Sequence, residues 1–365
     1  MKIFFKKWRT QLAIGTFSVA ILLFAILTNV YAVHTQVSTT VVAKGIPNTV
    51  AKVQPSPTPT VTYSHLTGLS VPIGQENLHP LAVMIENHIQ ARPQAGLGQA
   101  DLVYEALAEG GITRFMAVYG MPETPIKVGP VRSARPYYVD FATELGAMYA
   151  HAGGSQDALN QISSTGVQDL NGLSLGEPLF KRDFSRNVDL EHTLYSSTNS
   201  LWKYGVTTNG WNTAGNYSSW LFQDDATAAN RPTTQTISVS VSDPTYAVKW
   251  TYDSATNSYL RFMAGIPHLD ANTDKQISVK NVILETVQRA DYVETYGTIQ
   301  KTVGKVTLTG TGPATVFQNG LAIKGTWQKN GTNRTRYYDF TGKEISLVRG
   351  KTWIHLIHPD STVNY

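Results

Sequence analysis

The first pattern along the chain is an uncharged, mainly apolar run over residues 12–33, LAIGTFSVAILLFAILTNVYAV. As a helix these 22 residues extend about 33 Å, enough to cross a hydrocarbon core of about 30 Å. Residues 1–11 place Lys2, Lys6, Lys7 and Arg9 ahead of the run, and no cation follows immediately. This asymmetry predicts a single-pass signal anchor in the cell membrane, with the N-terminus cytoplasmic and the bulk extracytoplasmic. A cleaved signal peptide is the competing reading, because Val30 and Ala32 offer small residues to a peptidase. The run is nevertheless longer than a secretory apolar core of about 7–15 residues. Residues 34–64 are rich in Thr, Val, Ser and Pro, with Pro55, Pro57 and Pro59 alternating. Such a stretch buries too little apolar surface to repay its ordering and predicts an extended stalk.

From 65 to 229 short apolar runs alternate with helical patterns, predicting an α/β domain. Leu81-Ala-Val-Met-Ile85 reads as a strand buried on both faces and stops at Glu86-Asn87-His88. Ala91-Arg-Pro-Gln-Ala-Gly-Leu-Gly98 marks a loop. Residues 101–120 read as a hairpin turned at Gly110-Gly111, with a helix stopped there as the alternative. Either reading puts Glu105 and Glu109 on one side, because a spacing of four is even on a strand and about one turn on a helix. Residues 126–131 as strand, 134–145 as helix and 147–150 as strand form a predicted βαβ unit, hence a mostly parallel sheet. Ligands of parallel sheets gather at the carboxyl ends of the strands. Those ends are Glu86-Asn87, Arg132-Ser133 and His151-Ala-Gly-Gly-Ser155.

Over 230–365 the pattern becomes antiparallel β. Residues 236–242, 247–252, 259–263, 282–287 and 306–309 are rich in β-branched and aromatic side chains. Asn319-Gly320, Asn330-Gly331 and Thr341-Gly342 supply turns. Trp327, Tyr337, Tyr338 and Trp353 read as core in preference to a sugar-binding platform.

Composition sharpens this picture at two points. The 365 residues contain no cysteine, which excludes disulfide scaffolds, thiolate metal sites, cysteine nucleophiles and a lipid-modified cysteine. The net charge of +4 is supplied by the four cations of residues 1–11, so the rest sums to zero and predicts no nucleic-acid partner. No cofactor is expected, and no metal, since no recognised ligand spacing occurs and His355 and His358 fall on opposite faces of a strand.

Ser133 reads as the N-cap of a helix opening Ala134-Arg135-Pro136. Arg132 and Arg135 then flank the positive end of a helix, which costs about 0.3–1 kcal/mol per exposed charge unless an anion compensates. A ligand phosphate or carboxylate meets that need. An internal bridge to Glu86, Asp101, Glu105 or Glu109 meets it equally. His151 and Ser155, with Asp157 nearby, suggest nucleophilic or metal chemistry only weakly, and a histidine bonded to its own loop explains them as well.

Glu86-Asn87, Ala91-Arg-Pro-Gln94, Ala100-Asp101, Tyr104-Glu105, Glu109-Gly-Gly-Ile-Thr-Arg114, Gly129-Pro-Val-Arg-Ser-Ala-Arg135 and His151-Ala-Gly-Gly-Ser155 occur in order. So do Phe317-Gln-Asn-Gly320, Gly325-Thr-Trp327 and Gly350-Lys-Thr-Trp-Ile354. Together they resemble the YerB-like family of bacterial cell-envelope proteins, many of them lipoproteins, whose N- and C-terminal domains are of unknown function. The resemblance implies location and a two-domain layout rather than a reaction. Its usual Pro-His-Asn-Leu-Tyr is similar to Glu191-His192-Thr193-Leu194-Tyr195 here, with Thr193 in place of the amide.

Three readings follow. The first is a tethered extracytoplasmic protein that binds an anionic envelope component, such as a cell-wall polymer. Its candidate ligand residues are Asn87, Arg92, Arg114, Arg132, Ser133, Arg135, His151, Ser155, His192 and Tyr195. The second is a cell-wall polymer hydrolase with Glu86, Glu105 or Glu109 as acid or base and His151 assisting. The third is a non-catalytic module docking an envelope protein, with its arginines locked in internal salt bridges.

Overall fold

The computed structural model describes residues 61–365 apart from Gly297. The predicted span at 12–33 and residues 34–60 of the predicted stalk lie outside the described residues. Residues 61–63, assigned above to the stalk, instead form a strand paired antiparallel with 70–72.

Eight strands of the N-terminal segment matter below: β1 (Leu81–Glu86), β2 (Leu102–Leu107), β3 (Thr113–Tyr119), β4 (Lys127–Val128), β5 (Met148–His151), β6 (Gln168–Asn171), β7 (Lys181–Arg182) and β8 (Leu194–Ser197). The C-terminal segment supplies β9 (Thr236–Ser240), β10 (Val248–Asp253), β11 (Ser258–Met263), β12 (Asn281–Thr286), β13 (Gln288–Tyr296), β14 (Ile299–Thr307), β15 (Gly310–Gln318), β16 (Leu321–Lys329), β17 (Arg336–Asp339), β18 (Thr352–Ile357) and β19 (Thr362–Asn364). The helices are short: α1 (Pro136–Glu144), α2 (Gln156–Thr165) and α3 (Thr198–Lys203) are the ones used here.

One ten-stranded sheet, in the order β17-β16-β15-β12-β18-β2-β3-β1-β5-β6, joins both segments. This corrects the expectation of a mostly parallel α/β domain followed by a separate antiparallel β part. Strands dominate throughout. Parallel pairing is limited to β12 with β18, β18 with β2, β1 with β5 and β5 with β6; the other neighbours run antiparallel. The apolar run of β1 is buried on both faces as expected. That pattern reports burial and not direction, and β1 has one antiparallel and one parallel neighbour.

The predicted βαβ unit at 126–150 also does not form. Its first strand shrinks to Lys127–Val128 and leaves the large sheet to pair with β8. Pro130 has no N–H to give a ladder, and Gly129 sits at φ 142° with Leu194 and Tyr195 packed against it. A real βαβ unit lies one step later, with β5, α2 and β6 giving the parallel β5–β6 pair. The hairpin of β2 and β3 turns at Gly110-Gly111 as predicted, and Asn319-Gly320 joins β15 to β16.

Two layers cover the large sheet. On one face lies a second sheet built on β11-β10-β9-β19, where Ile237, Trp250 and Tyr259 pack with Val103, Phe115, Val282 and Trp353. On the other, Tyr137, Tyr138 and Phe141 of α1 pack with Met84, Tyr104 and Met116. Trp327, Tyr337 and Trp353 are buried, in keeping with the core reading, whereas Tyr338 is half-buried.

Candidate functional site

Most of the predicted residues do converge around the carboxyl ends of β1 and β2, but they meet one another instead of open space. Glu86, the last residue of β1, accepts from His192 Nδ1 at 2.9 Å and is bridged by Arg132 Nε at 3.0 Å. Arg132 also reaches Glu191 at 3.1 Å, and the His192 ring stacks on His88 with centroids 4.6 Å apart. Glu109 grips Arg135 in a two-point pairing, with Nη2 to Oε2 at 2.5 Å, and lies 3.5 Å from Arg114. Burial pushes the Glu109 carboxyl up, but the Arg135 hydrogen bond and the two guanidinium charges outweigh it and hold it below the ordinary value.

Glu105 and Glu109 do not share a side, contrary to the even-spacing argument. The strand ends at Leu107, and Ala108 departs from strand geometry before a short turn at Glu109–Gly111. Glu105 therefore faces the second sheet, while Glu109 faces the start of α1. Ser133 is not the helix N-cap either. Arg135 occupies that position with no side-chain cap bond, and the Ser133 hydroxyl donates to the Ala152 carbonyl at 3.0 Å. Glu109 is thus the anion that the cationic helix start requires.

The remaining candidates are likewise engaged. Asn87 donates to Thr113 at 2.6 Å and accepts from Arg92 and Gln94, and Arg92 also donates to the Thr245 carbonyl. His151 is fully buried, bonded to the Gly153 carbonyl at 2.7 Å and to Asp169 at 2.8 Å. His151 is thus the histidine bonded to its own loop, one of the two alternatives the sequence offers. Ser155 caps α2 by accepting from the Ala158 N–H. The Tyr195 hydroxyl accepts from Arg186 at 2.6 Å. Thr193, the departure from the family pattern, donates to the Leu190 carbonyl at 2.7 Å. Among the described residues no cluster of three or more His, Asp or Glu is placed to hold a metal ion.

Two buried ionic clusters escaped the sequence reading. In the first, Glu105 accepts from Arg261 at 2.9 and 3.1 Å, from Trp353 Nε1 at 2.9 Å and from Thr113 at 3.1 Å. Arg261 is fully buried beneath Trp353 and Trp250, its guanidinium carbon 4.2 and 5.1 Å from their ring centres. Burial lowers its pKa to about 10 despite the Glu105 charge. Trp250 donates to His355 Nε2 at 3.0 Å, and burial pushes His355 down to about 4. A period-two signal was present: Tyr259, Arg261 and Met263 share parity on β11 and all point inward.

In the second cluster, Glu144 at the end of α1 meets Lys329 at 2.5 Å, Thr335 at 2.8 Å and Arg334 at 3.6 Å. Nearby, Glu285 accepts from Tyr337 and is pushed up to about 7, first by burial and then by the Glu144 charge. A carboxyl raised from 4.5 to about 7 favours the folded state fully below pH 4.5, and loses that contribution as pH rises through about 7. Glu285→Gln, which keeps an acceptor for Tyr337, is expected to stabilise the protein at pH 8 by up to about 3 kcal/mol relative to its effect at pH 4.5. Urea titrations at the two pH values check it, and equal changes at both would contradict it.

The comparisons with known proteins agree with this architecture. Residues 66–212 match the N-terminal domain, and 237–354 the C-terminal domain, of a protein family of unknown function (DUF3048). The chain is 34% identical over 301 residues to "Putative lipoprotein YerB" of Bacillus subtilis strain 168, covering 81% of this chain and 86% of that one. The crystal structure of YerB protein from Bacillus subtilis superposes with a TM-score of 0.72 at 28% identity, covering 83% of this chain and all of that one. The single-pass membrane location expected from the sequence is corrected by this relative, which is described as a putative lipoprotein. Among the described residues no helix is long and apolar enough to cross a membrane. The two domain matches, the identity and the structural likeness point the same way: this chain belongs to the YerB-like family, built from the DUF3048 N- and C-terminal domains.

Proposed function

We propose that this chain is a non-catalytic binding protein of the cell envelope, one that retains an envelope component without altering it. The observation that carries this reading is the internal pairing of the polar cluster: Arg135 with Glu109, and Arg132 with Glu86 and Glu191. Guanidiniums already neutralised from within gain little from an outside anion, because the ligand would have to displace a carboxylate held at hydrogen-bond distance. The same pairings count against a hydrolase. An acid or base carboxylate has to face its substrate with a proton to give or take, whereas Glu86 and Glu105 are almost fully buried and occupied by Arg132, His192 and Arg261.

Cell-wall fragments incubated with the purified chain are expected to be retained saturably and to show no mass change by mass spectrometry. A hydrolysed or transferred product would overturn the reading. Arg135→Ala is expected to lower stability by about 1–3 kcal/mol, since it strips a charged partner from Glu109, and to leave retention unchanged. Lost retention at unchanged stability would restore the arginines as the anion receptor.

A further inference from the structure

We infer that the groove beside the small β4-β8-β7 sheet is the ligand site, and that it takes an anionic saccharide, phosphorylated or carboxylated. This rests on the binding role proposed above and assigns it a place away from the arginines. The groove encloses about 400 Å³, in the range of small-molecule sites. Its polar lining comes from Lys127, Lys181, Tyr195, Ser196, Ser197 and Ser200.

The register of the three strands explains how these side chains come together. Ser197 of β8 stands opposite Lys127 of β4, and Tyr195 of β8 stands opposite Lys181 of β7. Residues 195 and 197 share a face of β8, and directly opposed residues share that face too. One side of this short sheet therefore displays a cation, a hydroxyl, an aromatic ring and a second cation across three neighbouring strands. Pro178 and Leu179 add an apolar wall, and Ser200 contributes a second hydroxyl from α3.

The two lysines differ. Lys127 is held, its ammonium 4.4 Å above the Tyr195 ring centre and 2.8 Å from Asp183. Lys181 is exposed and has no ion pair among the described residues. The Ser197 and Ser200 hydroxyls also have no hydrogen-bond partner among the described residues, whereas Ser196 donates to the Leu179 carbonyl at 2.7 Å. An open cation beside two uncommitted hydroxyls, with an apolar wall, suits a ring that carries hydroxyl groups and one negative charge. A neutral sugar leaves Lys181 unused, and a bare inorganic anion leaves the wall and the hydroxyls unused. Among the described residues no carboxylate or histidine lines the groove, and the Asp183 carboxylate beside it is engaged by Lys127.

The test measures binding of the full-length chain to three soluble polymers: polyglycerol phosphate, polygalacturonate and neutral dextran. Binding to one or both anionic polymers, weakened by added salt, with none to dextran, is the expected result. Binding to the phosphate polymer alone names a phosphodiester source, and binding to the uronate alone names a carboxylate source. Lys181→Glu is expected to weaken the anionic polymer that binds by about tenfold, and Ser200→Trp, which fills the groove, to abolish it. Lys249→Glu, an equal charge change at an exposed position of β10, is expected to leave binding intact. If the polymers bind but neither groove substitution matters in variants with parental melting temperatures, the groove assignment falls while the binding role stands. If neither the polymers nor cell-wall fragments are retained by the parent chain, the binding role falls with it.

Discussion

Glu105→Leu is expected to cost about 3–5 kcal/mol of stability, because it leaves the fully buried Arg261 guanidinium without its counter-charge. The N–H of Trp353 and the hydroxyl of Thr113 lose the same acceptor. Desolvation of Arg261 is already severe, since Nη1 has no hydrogen-bond partner and the faces of Trp250 and Trp353 supply only quadrupole attraction. The double variant Glu105→Leu with Arg261→Met is expected to recover most of the loss, as apolar replacement of a buried ion pair removes both desolvation costs together. Guanidinium titrations of the four members of this cycle measure the coupling. A single variant within 1 kcal/mol of the parent, or a double variant no better than Glu105→Leu, would refute the account.

Glu144→Gln is expected to be similarly damaging, about 3–5 kcal/mol, since two cations depend on this one carboxylate. Lys329 and Arg334 are each under 6% exposed, and Arg334 lies 3.8 Å from the centre of the Trp220 ring with no hydrogen bond from its own nitrogens. The substitution carries a second signature. The Glu144 charge is one of the causes that raise Glu285, whereas Lys329 and Arg334 lower it. With Glu144 neutral, Glu285 is expected to titrate below about 7, seen as a shift of the pH-dependent stability change to lower pH. An unmoved transition would show that burial alone sets the Glu285 proton affinity.

Much of the fold was legible, and the reasons are local. β-Branched and aromatic content and turn chemistry placed β9, β10, β11, β12 and the Asn319-Gly320 hairpin nearly at their observed bounds, because such side chains pack well on a pleated surface. The uniform burial of β1 was equally plain. Strand direction was not, since parallel and antiparallel neighbours bury the same apolar side chains. The 126–150 unit failed for a related reason: Gly129-Pro130 is a local break whose consequence, a strand passed to another sheet, depends on a partner near residue 196.

The candidate site shows the same division. That cations at a helix start need an anion followed from Arg132, Arg135 and the helix pattern alone, and Glu109 was among the carboxylates that a local argument could offer. Whether a ligand or the chain itself supplies that charge is a question of distance in space, and pairing partners 26 residues apart for Arg135, and 46 apart for Arg132 with Glu86, are set only when the sheet closes. The buried Arg261–Glu105 pair, 156 residues apart, and the groove built from β4, β7 and β8 lie further still from any local signal. By itself, the sequence determined which residues are strand-forming, where the turns fall, that no cysteine chemistry is available and which family this chain belongs to. Tertiary structure alone decided which charges cancel and which hydroxyls and amines stay open, because electrostatic pairing depends on separations of a few ångströms that the order of residues does not contain.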